Sequence, residues 1–358
     1  MNILYGVAGE GMGHATRSKV IISHLLKKGH KVHIVASNRA FDFLKKSFPK
    51  IKITRIHGLV LVYDNNSINH TKSTLVNMHP KKSLLSFGKV RKIIKDDKIR
   101  LIISDNEPTV AYAAGFTKLS PFHKRIPLIS IDNIQISSNT AVSVPKQFKK
   151  EYLLLKYLNK VIIPPLNVDR FLITTFFYPE IRNKKTDLVP LILRDIVIRT
   201  KPKSQNHILV YQTSQSNTGM FNVLKRFKRE KFIIYGFNFK KTDENLVFKE
   251  FSEKGFVDDL ASSKAVITNG GFSLIGEAIF FHKPILSIPV RRHFEQICNA
   301  IYLEKKGYGV FCKNLNKRSF NLFLDNISEY KINLKDYNQA NNSKTLKKVD
   351  EAINSLVK

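Results

Sequence analysis

A glycine pair, a histidine and a few carboxylates carry the chemistry that this sequence suggests. Asn269-Gly270-Gly271 follows a β-branched apolar run, Ala265 to Thr268, and precedes a helical pattern from Phe272 to Phe281. Strand, glycine turn and helix present backbone N–H groups with no internal partner to an anion, and glycine lets a phosphate come close. One helical turn in, Glu277 can accept hydrogen bonds from sugar hydroxyls. A second strand, Pro284 to Ile288, ends at Pro289, and the loop after it carries Phe294-Glu295-Gln296. Far upstream, Gly9-Glu10-Gly11-Met12-Gly13-His14 follows a strand, Asn2 to Val7, and an imidazole there can take a proton from a hydroxyl. The strand Arg100 to Ser104 ends in Asp105-Asn106-Glu107-Pro108, which puts a carboxylate into the same crevice as His14.

These residues need a sheet whose strand ends share one edge, and the hydrophobic pattern supplies it. Apolar spacing from Ala15 predicts a helix ended by Gly29, and Lys31 to Ala36 is the next strand, giving a βαβ unit. Further strand-like runs are Ile51 to Ile56, Leu59 to Tyr63, Pro127 to Ile131 (ending in Asp132-Asn133-Ile134-Gln135) and Arg170 to Phe177. At 358 residues two domains are expected. We place a Rossmann-like domain at 1–185, a linker at 186–205, a second Rossmann-like domain at 206–340, and a last helix at 341–358 packing back on the first. In the second domain His207 to Gln212 is the first strand, and Thr213-Ser214-Gln215-Ser216 fills the loop after it with hydroxyls that can supplement backbone donors to a diphosphate.

The βαβ start also fits a dinucleotide-binding fingerprint in Gly9-x-Gly11, but its third glycine falls on His14. The second strand ends in Ser37-Asn38-Arg39 with no acidic residue for an adenosine ribose, which leaves only an NADP reading through Arg39.

Taken together, Thr268-Asn269-Gly270-Gly271, Ser273, Glu277, Lys283-Pro284, Pro289, Glu295-Gln296 and Asn299-Ala300, with Gly13-His14, resemble the signature of UDP-sugar-dependent GT-B glycosyltransferases. The likeness is to family 28 and the UDP-glycosyltransferases, including the lipid-linked N-acetylglucosaminyl and diacylglycerol glucosyl enzymes. The resemblance implies an α/β GT-B fold, two Rossmann-like doubly wound domains facing across a cleft. It implies that Gly270 and Gly271 hold the diphosphate, Glu277 the ribose hydroxyls and Phe294-Glu295-Gln296 the donor sugar. Gly11, Gly13, Thr213, Ser214, Asn269, Phe272 and Ser273 then border the donor, and Phe256 lies where relatives hold the uracil. His14 becomes the base, Asp105 its orienting carboxylate and Glu107 a reserve base. The expected reaction is an inverting transfer of a hexosyl group from a UDP-sugar to a lipid-linked or polyanionic glycan acceptor, with the UDP-sugar as co-substrate and no metal or other cofactor. A UDP-sugar 2-epimerase of the same architecture is the alternative within the fold.

Sixty Lys+Arg against 28 Asp+Glu leave a formal charge of +32, which calls for a negative partner. Two basic stretches with apolar faces, 81–95 and 146–160, suit an anionic membrane surface, although a core helix with snorkelling lysines has the same pattern. A nucleic-acid-binding protein is the reading that charge alone suggests, and no aromatic-interleaved RNA motif or zinc spacing accompanies it. Gly6, Gly9 and Gly11 interrupt what would be a signal peptide's apolar core, so the expected location is cytoplasmic, peripheral on the inner face of the membrane. The two cysteines, Cys298 and Cys312, are too few for a disulfide framework or a zinc site.

Overall fold

Runs such as Asn2–Val7 and Leu128–Asp132 are apolar nearly throughout and buried along their length, as strands inside a parallel sheet must be. The computed structural model describes residues 1–64, 66–120, 124–203, 205–212 and 219–357. It contains two units, one made of Met1–Val62, His70–Arg194 and Asn342–Lys358, the other of Tyr63–Asn69 and Asp195–Asn341.

The first unit begins with β1 (Asn2–Val7), β2 (Lys31–Ala36) and β3 (Ile53–Arg55). Two short strands, β4 (Tyr63–Asp64) and β5 (Ser67–Ile68), pair antiparallel and belong to the second unit. The first sheet continues with β6 (Leu101–Asp105), β7 (Leu128–Asp132), β8 (Arg170–Thr174) and β9 (Thr186–Val189). Its order is β3-β2-β1-β6-β7-β8-β9, every neighbouring pair parallel. The second unit holds β10 (His207–Tyr211), β11 (Lys231–Tyr235), β12 (Lys241–Asp243), β13 (Leu246–Phe248), β14 (Ala265–Thr268), β15 (Ile285–Ser287) and β16 (Gly309–Phe311). They lie in the order β12-β13-β11-β10-β14-β15-β16, with only β12 antiparallel to its neighbour. Strand order reverses beside β1 in one sheet and beside β10 in the other. The carboxyl ends of β1 and β6, and of β10 and β14, are therefore the two switch points where such sheets take ligands.

The last helix, Ser343–Leu356, adds Val349, Ala352 and Ile353 to the cluster that contains Ile3, Tyr5, Ile21 and Leu25. Asn342 fixes its start: the side-chain amide donates to Leu193 O at 2.7 Å, and its carbonyl accepts from Leu193 N at 2.8 Å. Other boundaries differ from the expected ones. Residues 186–205 are not a plain linker, because Thr186–Val189 pairs with β8 as an edge strand and Asp195–Arg199 is a helix. The chain changes unit at Arg194. Leu59 to Val62 forms no strand: Asn77 and Ser73 side chains bond the backbone of Val60 and Val62, in place of a neighbouring strand.

Shortening a core side chain on the last helix tests its packing. Ile353→Ala should cost roughly 2–5 kcal/mol of stability in urea unfolding, and a loss below about 0.5 kcal/mol would show that the helix does not dock in solution.

Candidate active site

The helix Met12–Lys27 starts directly beyond β1, with Gly11 at its N-cap (φ 78°) and no side-chain cap. Gly13 and His14 lie in its first turn. One turn on, Arg17 and Ser18 continue the face that meets the end of β6. Asp105, the last residue of β6, is fully buried and collects donors from all of these. His14 Nδ1 lies 2.7 Å from Oδ1; Arg17 Nε and Ser18 Oγ donate to Oδ2, each at 2.8 Å, and Arg17 Nη2 donates to Oδ1. Burial pushes the Asp105 carboxyl up, but the adjacent Arg17 charge and His14 outweigh it and hold it below the usual carboxylate range. A carboxylate that keeps its charge favours the imidazole tautomer with the proton on Nδ1. Nε2 then carries the lone pair, and among the described residues it has no protein partner. His14 is the partly exposed member of the set, with 13% of its side chain accessible. The arrangement can accept a proton at Nε2 and stabilise the imidazolium through Asp105.

Glu107 does not join them. It is fully buried and caps the helix Pro108–Leu119, its Oε1 accepting from Thr109 N at 3.0 Å. Its backbone turn packs beside Gly6, where an added Cβ would lie 3.2 Å from Glu107 Cβ. Burial pushes its carboxyl up to about 7, and Oε2 has no partner among the described residues. A reserve base needs a path to substrate, and this group is closed off from it. The Asp132 turn is internally satisfied, by Gln135 N and Ser130 Oγ, while Asn133 accepts from Arg17 Nη1 at 2.9 Å.

In the second unit β14 ends at Thr268, and Gly270 turns the chain with φ 89°. A Cβ there would sit 2.9 Å from Ser287 Oγ and 3.0 Å from Gln296 O, so both conformation and space demand glycine. Gly271 is different: its Cβ direction is open, and it begins the helix Phe272–Phe280 without a side-chain cap. Backbone N–H groups at this start face a half-exposed rim that includes Gly271 and Ser273. Glu277 is buried one turn along, and Glu295 is half-exposed in the first turn of the helix Phe294–Lys305.

Several expected donor contacts turn out to be braces. Asn269 donates from Nδ2 to Gln212 Oε1 at 2.8 Å and Ile288 O at 3.2 Å, tying the ends of β10, β14 and β15 together. Gln296 Oε1 accepts from Val290 N at 2.9 Å, and Asn299 donates to Gly270 O at 3.1 Å. A buried amide beside strand ends is claimed by their unpaired backbone groups before any ligand arrives. Phe272 and Phe294 are buried. Phe256 packs in an aromatic cluster with Tyr211, Tyr235 and Phe251, at centroid distances of 5.5, 5.1 and 5.6 Å, so it is a core residue. Thr213 and Ser214 lie outside the described residues. Both cysteines are buried and burial raises their thiols, Cys298 to about 12, which removes thiolate chemistry. Among the described residues no group of three or more His, Cys, Asp or Glu is placed to hold a metal ion.

Comparison with known proteins places this geometry. Residues 1–328 match the family model described as Glycosyl transferase family 1. The chain belongs to glycosyl transferase family 1. An uncharacterised glycosyltransferase of Methanosarcina acetivorans is 25% identical over 86% of this chain and 83% of its own length. Another, of Methanosarcina mazei, is 26% identical over 86% and 85%. Among solved structures, the glycotransferase of kitacinnamycin superposes with a TM-score of 0.70 at 12% identity, covering 100% of this chain and 99% of that one. The Acinetobacter baumannii MurG gives 0.60 at 13%, covering 99% of each. At such identities the structures show the shared fold, GT-B with two Rossmann-like domains.

Two parts of this glycosyltransferase's site escape sequence reasoning. Arg17 is one; its signal was a lone arginine three residues after His14 on an otherwise apolar helix face. The β4–β5 pair is the other. Ile68 N donates to Arg291 O at 3.1 Å and Arg291 N to Asn66 O at 2.9 Å, so a polar stretch from early in the chain lines the loop that leads to Phe294.

Glu107 gives a pH test. Its folded carboxyl holds a proton between the ordinary 4.5 and about 7 while the unfolded one does not, so native protein binds more protons there and stability falls as pH rises through that window. Glu107→Gln removes this loss. Its stability relative to the parent should climb by roughly 3 kcal/mol at most between pH 4.5 and 7 and stay level above. Parallel stability curves would overturn the assignment.

Proposed function

We propose that this glycosyltransferase moves a hexosyl group from a UDP-sugar to a hydroxyl of a lipid-linked or polyanionic glycan, with inversion at the anomeric carbon. The observation that carries the reading is an imidazole held at Nδ1 by a buried carboxylate with Nε2 unpartnered at the first switch point. His14 Nε2 takes the acceptor proton as its oxygen attacks, Asp105 stabilises the imidazolium, and the C–O bond to the diphosphate breaks. The Gly270–Gly271 turn and the uncapped helix start behind it would meet the charge of the departing UDP, so the reading assigns no metal. Glu277 takes ribose hydroxyls, and the Glu295–Gln296 pair takes sugar hydroxyls through Glu295.

The reading extends to an anionic membrane surface as the place where the acceptor is met. Met78 to Leu85 are all exposed, with Met78 at 65% and Leu84 at 71%, and Lys81 and Lys82 stand between them. On the helix Lys149–Ile162, Leu153, Leu154 and Tyr157 are exposed, Tyr157 at 66%, while the polar Asn159 is buried and donates to Ile134 O and to Ser137 and Ser138 Oγ. Apolar tips among lysines suit insertion between anionic headgroups. No helix among the described residues is long and apolar enough to cross a membrane.

Calorimetry with UDP, GDP, ADP and NADP tests the donor class. UDP should bind selectively, Glu277→Ala should weaken it roughly 10–100-fold, in line with about 1.5–3 kcal/mol for a hydrogen bond to a charged group, and His14→Ala should leave it unchanged while cutting transfer roughly 10²–10⁴-fold. Preference for NADP, or full activity without His14, would sink the proposal. Sedimentation with vesicles tests the surface: binding should need anionic lipid, weaken with salt and fall in Leu84→Glu/Leu85→Glu. Equal binding to neutral vesicles, or none to either, would remove it.

A further inference from the structure

Arg17 lies one turn after His14 on the same helix face and is 5% exposed. A buried guanidinium is costly unless its charge and its donors are both met. Here Nε and Nη2 hold both oxygens of Asp105, and Nη1 donates to Asn133 Oδ1 at the end of β7. The same Nη2 lies 2.7 Å from His14 Nδ1.

A guanidinium has no lone pair to offer, so two proton arrangements compete at Nδ1. With the proton on Nδ1, the ring donates to Asp105 Oδ1, and Nε2 is a base. With the proton on Nε2, Nδ1 accepts from Arg17, but its lone pair then faces an anionic oxygen 2.7 Å away, and the ring offers a substrate a donor instead of a base. The first arrangement wins as long as Asp105 stays anionic and keeps Oδ1 turned to the ring. The two-point contact with Arg17 secures both conditions. Without it, the buried carboxyl would take up a proton and donate it to Nδ1, and the ring would keep its own proton on Nε2.

We propose that Arg17 is a positioning residue for the transfer, fixing His14 through Asp105 as the Nδ1–H tautomer with Nε2 as the basic atom. The catalytic part of this inference rests on His14 being the base; the tautomer does not. The groups that face the ring are Asp105, Arg17 and, at the end of β7, Asp132, whose carboxylate is already held by Gln135 N and Ser130 Oγ.

Ring nitrogen shifts in full-length protein labelled with ¹⁵N-histidine test it directly, with the His14 signals identified by their loss in His14→Gln. The parent should show Nδ1–H for His14. Arg17→Lys, which keeps the charge but not the second contact, should show a measurable Nε2–H population, and Arg17→Gln should show Nε2–H as the major form. An Nε2–H parent overturns the proposal even if a variant fails to fold, as does an unchanged tautomer in either folded variant. With UDP-glucose as donor and water as acceptor, Arg17→Gln should lower kcat for UDP release roughly 10–100-fold, the usual cost of losing a partner behind a functional side chain, with KM unchanged. Placed in the His14→Ala background it should cost nothing more, and a full further loss there counts against it. A tautomer that responds to Arg17 in a protein that binds no UDP would leave this inference standing and overturn the proposed function instead.

Discussion

Asp105 has no exposed surface, and a charged carboxylate in that position survives only if donors meet both of its oxygens. That demand sets the orientation of everything around it. Arg17 and Ser18 supply three donors from one face of the helix Met12–Lys27, so the rotation of this helix about its axis is fixed by the end of β6 as well as by apolar packing. The ring of His14, one turn earlier on that face, is carried to Oδ1 as a consequence. Asn133 takes the remaining Arg17 nitrogen and draws the end of β7 into the same polar layer. Gly11, open and left-handed at the helix start, and the edge of the His14 ring are left towards solvent.

The second sheet meets the same topological situation with neutral groups. Asn269, Gln212, Gln296 and Asn299 hold the ends of β10, β14 and β15 and the glycine turn by amide hydrogen bonds. The contrast has a physical sense on the proposed reading. A base needs an anion behind it, whereas an anion at the glycine turn itself would repel a diphosphate; Glu277 and Glu295 stand away from the turn, one turn along its helix and on the helix Phe294–Lys305. Amide braces keep the turn rigid without adding charge, and leave the field of the helix Phe272–Phe280 undiminished at its start. Gln212 Nε2 and Ser287 Oγ are buried at that rim and have no hydrogen-bond partner among the described residues.

Much of this was legible in the sequence, for a simple reason: in a parallel sheet the chemistry lies at carboxyl ends of strands, and strand ends are easy to read. Apolar runs ending in Asp105 and in Asn269-Gly270-Gly271 were placed at the rims where the structure has them. What the pattern could not give was which way a polar side chain turns once it is there. Asn269 and Gln296 read as ligand contacts because they sit beside glycine turns, but unpaired backbone groups of neighbouring strands take their amides. Glu107 read as a base because it follows Asp105 by two residues, but the Asn106 turn, at φ 54°, sends it beneath the sheet to cap a helix. Arg17 was hidden by the habit of reading a helical arginine as solvated. Thr186–Val189 was masked by the lysines before it, Lys184 and Lys185, and by Pro190 after it, flanks that an edge strand tolerates.

Net charge was the least informative feature, and burial shows why. A value of +32 is equally compatible with nucleic acid, membrane or a lysine-rich surface without a partner. The helix Lys149–Ile162 decides more than the total does. Leu153, Leu154 and Tyr157 would be inside if the lysines were merely snorkelling from a core helix, yet they are exposed and Asn159 is the residue that the fold buries there, holding the turn at Ser137 and Ser138. A fold that puts an amide in and leaves Leu153 and Tyr157 out keeps an apolar surface exposed while a polar anchor secures the helix. On the proposed reading, exposed apolar groups among cations fit a partner with both an anionic face and an apolar interior, which a bilayer offers.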